Sequence, residues 1–253
     1  MTRAGSVDLR QNALRGPEQT VFHCSMECAP MSLLPFLDRI QAGQFLADRL
    51  SGWRGRHPLI LAIPRGAVPI GRVLADALDG DLDVVLVRKL GAPFNPEYAV
   101  GAVDESGDVQ LSPYADSVGA DESYLAGEVA RQLRRIREQR RLYGEGGEPI
   151  DPQGRVVIVV DDGLATGATM AAALAWVRKR TPAHLICAVP VASGDALARM
   201  ARLADEVVCL AAPADFSSVG AHYMRFQQVE DAEVIAALRR RDKATGRAPP
   251  SPG

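Results

Sequence analysis

An uninterrupted apolar segment that ends in two acidic residues is the feature that most constrains the fold of this chain. Val156 to Val160 reads VVIVV and is followed directly by Asp161 and Asp162. A run without apolar and polar alternation predicts a strand buried on both faces, as in a parallel sheet covered by helices on both sides. Ligands of such sheets collect at the carboxyl ends of the strands. We therefore expect the two aspartates at a ligand-binding edge.

A short loop of small residues follows the aspartates and leads into a predicted helix from Met170 to Arg180. The loop consists of Ala165, Thr166, Gly167, Ala168 and Thr169. Small side chains let backbone amides approach an anion, and the amino end of the helix adds free amides and partial positive charge. The segment therefore predicts a phosphate site. Because two carboxylates would repel a phosphate, we expect a divalent cation, sugar hydroxyls or both between them.

The whole stretch VVIVVDDGLATGATM resembles the signature of type I phosphoribosyltransferases. The resemblance implies that Asp161 and Asp162 hold the ribose hydroxyls of phosphoribosyl pyrophosphate together with Mg²⁺. It also implies that the following loop wraps the 5′-phosphate. A buried strand with an aspartate cap in another kind of α/β protein is the alternative. A Walker A loop is excluded, since no Gly-Lys-Ser or Gly-Lys-Thr follows the glycine.

A second buried strand is predicted over Leu59 to Ile63, and it ends in the turn Pro64 to Pro69. Gly66 permits a close backbone approach that a side chain would prevent. By the same resemblance this turn is the pyrophosphate loop, in which Gly66 and Ala67 bind substrate and Arg65 meets the leaving group. A tight strand-to-helix turn with a solvated arginine is the alternative.

A third strand is predicted over Asp83 to Val87, with Arg88 and Lys89 at its end. In related transferases a basic pair at this place reaches the pyrophosphate, so the resemblance gives Lys89 a catalytic role and Arg88 a binding role. The next segment, Leu90 to Tyr98, has the glycine and proline content of a mobile loop, which would close as a lid and exclude water. An ordinary connection with two surface cations is the alternative.

Strand and helix patterns alternate along the rest of the chain. Further strands are predicted over Ala99 to Val103, Ala183 to Val189 and Glu206 to Leu210, and helices over Asp121 to Tyr143, Asp195 to Leu203 and Asp231 to Arg240. An amino-terminal helix is predicted from an apolar face formed by Phe36, Ile40, Leu46 and Leu50. This alternation implies parallel strands and right-handed crossovers. The predicted fold is an α/β fold: an open, mostly parallel twisted sheet with helices on both faces, and, by the resemblance, a small hood region.

Each of two further sequence patterns has two interpretations, as a ligand site or as ordinary structure. Phe216, Tyr223 and Phe226, with Gly220 beside them, could form a pocket against which a planar base stacks, or they could belong to the core. The predicted helix from Asp121 to Tyr143 carries an arginine stripe, which can bind RNA but is more often a solvated helix face. The net charge of −2 favours the solvated face and disfavours nucleic acid as a partner.

Length and composition fit one domain. The chain has 253 residues, of which 47% are hydrophobic. We assign residues 31–241 to a phosphoribosyltransferase-like domain, residues 1–30 to a disordered extension and residues 242–253 to a flexible tail, and Met31 is a plausible natural start. No apolar run approaches the ~20 residues of a membrane span. With four scattered cysteines and no secretion signal, a cytoplasmic location is expected.

The combined patterns, which cover about Leu37 to Leu238, include Asp38-Arg39 and resemble a less characterised bacterial branch of the family. They imply transfer of the 5-phosphoribosyl group from phosphoribosyl pyrophosphate to a nitrogen nucleophile, expected to be a nucleobase, with Mg²⁺ as cofactor. Relatives that use hypoxanthine or guanine have an acidic residue at the position of Ala165. Adenine-directed relatives lack that acidic residue, as this chain does. The sequence allows a homodimer. A non-catalytic sensor of the donor and a metal-dependent phosphohydrolase remain alternatives.

Overall fold

A parallel sheet forms the centre of the molecule. The computed structural model describes residues 21–24, 34–112, 114–143 and 149–239. The strands in this part are β1 (Val21–Cys24), β2 (Leu59–Ala62), β3 (Asp81–Val84), β4 (Val87–Ala92), β5 (Asn95–Asp104), β6 (Val109–Leu111), β7 (Val156–Val160), β8 (His184–Val191) and β9 (Glu206–Ala211). The central sheet has the order β1-β9-β8-β7-β2-β3, and all its pairs are parallel.

Helices cover both faces of this sheet. They are α1 (Arg39–Arg49), α2 (Val68–Leu78), α3 (Glu122–Tyr143), α4 (Ala168–Arg178), α5 (Gly194–Met200) and α6 (Asp231–Arg239). Alternate residues of each strand point to opposite faces: Ile158 packs in the cluster that contains α1 and α2, whereas Val157 and Val159 pack in the cluster that contains α4 and α5. The predicted α/β fold is therefore confirmed. None of the helices described has the length and apolarity needed to cross a membrane.

A second, antiparallel sheet of order β4-β5-β6 replaces the predicted mobile loop from Leu90 to Tyr98. The third central strand ends at Val84, so Arg88 and Lys89 belong to β4 rather than to the edge of the central sheet. The glycine and proline content has a different meaning from the one expected. Gly91 lies at a register shift between β4 and β5, and Pro93 and Phe94 form the turn. The predicted loop conformation is therefore wrong, whereas closure of this segment as a lid stays a prediction.

The amino-terminal helix is shorter than its apolar pattern suggests. It begins at Arg39 because the side chain of Asp38 accepts a hydrogen bond from the amide of Gln41 at 3.0 Å, which caps the helix. Phe36 is buried but precedes the helix, and Ile40 is 45% exposed. The apolar face predicted from Phe36 and Ile40 is therefore wrong, whereas Leu46 and Leu50 do pack in the core.

Helix α3 joins the antiparallel sheet to the central sheet. Its residue Ile136 is buried, and Leu125, Val129 and Leu133 pack against the core as predicted. Arg140 is an exception to the solvated arginine face. Its guanidinium pairs with Asp83 at 3.1 Å and Glu105 at 2.9 Å, so it links β3 of the central sheet to the turn that follows β5.

Part of the predicted disordered extension has a regular structure. Val21–Cys24 forms β1 at the edge of the central sheet, where it pairs with β9. This corrects the prediction for those residues. The rest of residues 1–30, the proposed start at Met31 and the tail 242–253 lie outside the described residues.

Candidate functional site

The order of the central strands changes direction between the neighbouring strands β2 and β7. After β2 the chain continues outward to β3, and after β7 it continues to β8 on the other side. The loops that follow β2 and β7, residues 63–67 and 161–167, therefore leave the same edge of the sheet side by side. Such a topological switch point opens a crevice in which ligands of α/β proteins bind. Both predicted substrate loops are at this crevice.

The loop after β7 is fixed at both ends. The Leu164 amide donates to the Val191 carbonyl at 2.9 Å, and the Ser193 hydroxyl donates to the Ala165 carbonyl at 2.7 Å. Gly167 has φ 71°, a conformation that favours glycine, and α4 begins immediately after it. Ala165 and Thr166 are exposed, and Thr169 is half-buried. The amide of Ala168 donates to the Thr166 hydroxyl at 3.5 Å. The first-turn amides of a helix have no partner within the helix itself, so the start of α4 is a candidate anion site at the crevice.

The two aspartates have different surroundings. The Asp161 carboxylate accepts a hydrogen bond from the Asp162 amide at 2.9 Å. The Asp162 carboxylate accepts a hydrogen bond from Nε of Arg39 at 2.9 Å, and Nη2 of Arg39 forms an ion pair with the same carboxylate oxygen at 2.8 Å. Burial raises the pKa of both carboxyls; the charge of Asp162 adds to the rise at Asp161, whereas Arg39 opposes the rise at Asp162. The negative charge of Asp162 is therefore compensated by direct contact with Arg39, whereas that of Asp161 has no such contact described.

The loop after β2 packs directly against Asp162. A Cβ added at Gly66 would overlap the Asp162 carboxylate and would lie 3.5 Å from Arg39 Nη2. The peptide bond between Pro64 and Arg65 is cis. Ala67 is fully buried and its amide donates to the Ile63 carbonyl at 3.3 Å. Gly66 thus borders the aspartates, whereas Ala67 supports the loop from behind and presents no side chain to a substrate.

A cavity of about 480 Å³ adjoins this loop. Arg65, Thr169 and Arg88 line it together with Arg135 of α3. Arg65 lies 3.6 Å from Asp231 and 4.0 Å from Glu230, both at the start of α6. The structure therefore brings the predicted cations Arg65 and Arg88 to the same cavity as the phosphate loop.

Lys89 does not line that cavity. It is exposed and lines a neighbouring space of about 450 Å³ that lies between β4 and α3. Arg88 and Arg135 line both spaces, and burial followed by the charge of Arg135 lowers the pKa of Arg88. The predicted catalytic role of Lys89 thus has less geometric support than the role of Arg88.

The aromatic residues near the carboxyl end are divided between core and surface. Tyr223 is 6% exposed and its ring packs on Phe36, with a centroid distance of 5.4 Å. Its hydroxyl donates to the Asp162 carbonyl at 2.7 Å. Phe216 is half-buried and stacks near His222. This corrects the expectation that Tyr223 stacks on a planar base, and Phe216 stays a candidate for that contact.

Removing the hydroxyl of Tyr223 tests its supporting role. We expect Tyr223→Phe to lower the free energy of unfolding by about 1 kcal/mol, because the Asp162 carbonyl loses a buried hydrogen bond. Urea unfolding measures the change. Tyr114→Phe is the matched control, since Tyr114 is 66% exposed. Equal stability of the Tyr223→Phe variant and the unmodified chain would contradict this role.

Arg39 is the site residue to which the sequence analysis gives no role. It is separated from Asp162 by 123 positions, and it lies at the start of a helix whose pattern shows only which face is buried. The one available signal is chemical: two adjacent buried carboxylates need a nearby cation, and Arg39 follows a capping aspartate in a segment already noted for its resemblance.

Together, the fold and the two loops define an α/β protein with a candidate ligand site at a topological switch point. The family model described as phosphoribosyl transferase domain matches residues 37–223. The chain therefore belongs to the phosphoribosyl transferase domain family.

Two relatives carry the name of this family, and a solved structure is similar to this chain in sequence and fold. Proteins of two Mycobacterium tuberculosis strains, named as candidate phosphoribosyl transferases, are each 41% identical over 211 residues, which is 81% of this chain and 46% of theirs. The chain thus spans about half the length of these curated relatives. A crystal structure of a Thermus thermophilus protein has 46% identity and a TM-score of 0.72, and the match covers 82% of this chain and 99% of that one.

Proposed function

We propose that this chain transfers the 5-phosphoribosyl group of phosphoribosyl pyrophosphate to a nitrogen nucleophile, with a nucleobase as the acceptor class. One observation carries the proposal. The loop of residues 165–169 at the start of α4, the Asp161 carboxylate and the loop of residues 63–67 converge at the switch point between β2 and β7. Membership in the phosphoribosyl transferase domain family supports the same reaction class.

The phosphate loop and Asp161 would hold the two ends of the sugar phosphate. The amides at the start of α4, with the hydroxyls of Thr166 and Thr169, donate to the 5′-phosphate. Asp161 accepts hydrogen bonds from the ribose hydroxyls. Because both ends of the donor are held, its anomeric carbon is positioned for attack.

The cations of the 480 Å³ cavity would stabilise the leaving group. As the bond between the anomeric carbon and pyrophosphate breaks, the sugar becomes positive and the pyrophosphate takes the electron pair. Arg65 and Arg88 donate hydrogen bonds to this developing negative charge. The nitrogen nucleophile then attacks the opposite face of the sugar. Lys89 contributes only if the β4–β5 hairpin moves toward the crevice.

The residues present fit a weakly held Mg²⁺. Among the described residues there is no cluster of three or more side chains suited to a metal ion. Asp162 is already paired with Arg39, which leaves Asp161 as the carboxylate for a cation. A cation at this place would be held by Asp161 and mainly by oxygen atoms of the donor. Bound Mg²⁺ supplies charge neutralisation for the pyrophosphate.

The position that bears an acid in hypoxanthine- and guanine-directed relatives is Ala165. It is exposed, and its carbonyl is held by Ser193. Because alanine has no carboxylate, this position cannot take a proton from the base or accept a hydrogen bond from it. An adenine-like acceptor, with Phe216 as the stacking candidate, is therefore the first to test.

The deciding experiment incubates the chain with phosphoribosyl pyrophosphate, Mg²⁺ and a panel of purine and pyrimidine bases. Mass spectrometry detects new nucleotides, and pyrophosphate is measured in parallel. The proposed function requires nucleotide and pyrophosphate in equal amounts for at least one base. Donor binding without product would favour a sensor instead. Phosphate release without any acceptor would favour a phosphohydrolase.

A further inference from the structure

A buried arginine contacts the aspartate pair from outside both substrate loops. Arg39 is 9% exposed and begins α1. We infer that Arg39 is a positioning residue: it fixes the Asp162 carboxylate and supplies the positive charge that lets a phosphorylated donor bind beside two aspartates. This inference rests on the proposed function.

The guanidinium of Arg39 is held on its edge and on its face. Its Nε atom donates to one oxygen of Asp162 at 2.9 Å, and its Nη2 atom lies 2.8 Å from the same oxygen as an ion pair. Its Nη1 atom donates to the Gln227 carbonyl at 2.7 Å. The guanidinium carbon lies 3.9 Å from the centroid of the Phe226 ring. Only an arginine can make the forked contact and the stacking contact together, because the guanidinium is planar.

These contacts give the two aspartates different tasks. The Asp162 carboxylate faces Arg39 and Gly66, and the Asp162 carbonyl accepts the hydroxyl of Tyr223. The one hydrogen bond described for the Asp161 carboxylate comes from the Asp162 amide. Asp161 is therefore the carboxylate left for the ribose and a cation. Asp162 acts as a support between the pyrophosphate loop and the start of α1.

The charge of Arg39 reduces the repulsion between the two aspartates and a phosphorylated ligand. Adjacent buried carboxylates repel a phosphorylated ligand, and their field is strong where water is excluded. Arg39 lies in direct contact with one of them, so three side chains carry a net charge of −1 rather than two carrying −2. Arg39 therefore neutralises part of the carboxylate charge before any metal ion binds with the donor.

Calorimetric titration with phosphoribosyl pyrophosphate and Mg²⁺ tests the inference. We expect Arg39→Met to weaken donor binding about 30-fold, because it removes both the charge and the forked contact. Arg39→Lys keeps the charge and is expected to recover part of the affinity. Arg178→Met is the matched control: it breaks a 2.7 Å ion pair with Asp205, far along α4, and should leave donor affinity unchanged.

A double variant separates positioning from simple folding. Arg39→Met leaves Asp162 buried without its partner and could unfold the chain. The variant Arg39→Met with Asp162→Asn removes the uncompensated charge, so it stays folded, as thermal unfolding would show. If Arg39 acts through Asp162, the removal of Arg39 costs less donor affinity in the Asp162→Asn background than in the unmodified chain.

The outcomes distinguish the inference from the proposed function. Equal donor affinity of the unmodified chain and Arg39→Met overturns the inference and leaves the proposed function intact. Additive losses in the double variant also overturn it, because Arg39 would then act independently of Asp162. An unmodified chain that does not bind the donor overturns the proposed function and the inference with it.

Discussion

The Asp161→Asn variant is expected to lose about 100-fold or more of kcat/KM, because the ribose hydroxyls lose a charged acceptor both before and during bond cleavage. Asparagine has nearly the same shape, and the contact of Arg39 with Asp162 is unaffected. Pyrophosphate release at saturating and limiting donor measures kcat and kcat/KM separately. Unchanged pyrophosphate release would contradict the role given to Asp161.

The same variant is expected to keep or gain stability. Burial raises the pKa of the Asp161 carboxyl, so the folded state binds this proton more tightly than the unfolded chain does. Stability is therefore lost as pH rises through this raised pKa, and the uncharged asparagine avoids that loss. Thermal unfolding across a pH series checks the sign. Asp195→Asn, an exposed change on α5, is the matched control and should alter neither activity nor stability.

The Gly66→Ala variant is expected to weaken donor binding about 50-fold. A methyl group at this position overlaps the Asp162 carboxylate, and Arg39 prevents that carboxylate from moving away. The pyrophosphate loop must shift instead, at a cost of about 1 to 3 kcal/mol. Calorimetry with the donor measures the loss.

Gly127→Ala is the matched control for this change. Gly127 lies within α3, and an added Cβ meets no atom within 4 Å. Alanine is also the better helix former by about 1 kcal/mol, so this variant should be more stable and bind donor normally. A Gly66→Ala variant that binds donor as well as Gly127→Ala would show that the close approach is unimportant.

Local patterns made the central fold predictable. The predicted strand Val156–Val160 agrees with the structure residue for residue. A continuous apolar run is typical of a strand that is buried on both faces of a parallel sheet. The existence of a loop and a helix after this strand was predictable for a similar reason, since small residues before a strong helix former set a local conformation. The bounds were not, because α4 runs from Ala168 to Arg178 and thus begins two residues before the predicted Met170. These features depend on neighbours in the chain.

Features that depend on distant contacts could not be predicted. Arg39 meets Asp162 across 123 positions, and nothing in either segment fixes that pairing. The buried Tyr223 has the same ring and hydroxyl as a ligand-stacking tyrosine, and only its packing on Phe36 shows its place. The β4–β5 hairpin was mistaken for a loop because glycine and proline are typical of both loops and bulged hairpins.

The contacts of Arg39 also set the order in which the site can become complete during synthesis. The guanidinium needs the Gln227 carbonyl and the Phe226 ring, whereas its carboxylate partner and both substrate loops are made earlier. A ribosome-bound chain that ends after β9 lacks Phe226 and Gln227, so Arg39 cannot make either contact at that stage. Competence to bind the donor should therefore arise late, when the last segments emerge and dock on the first helix.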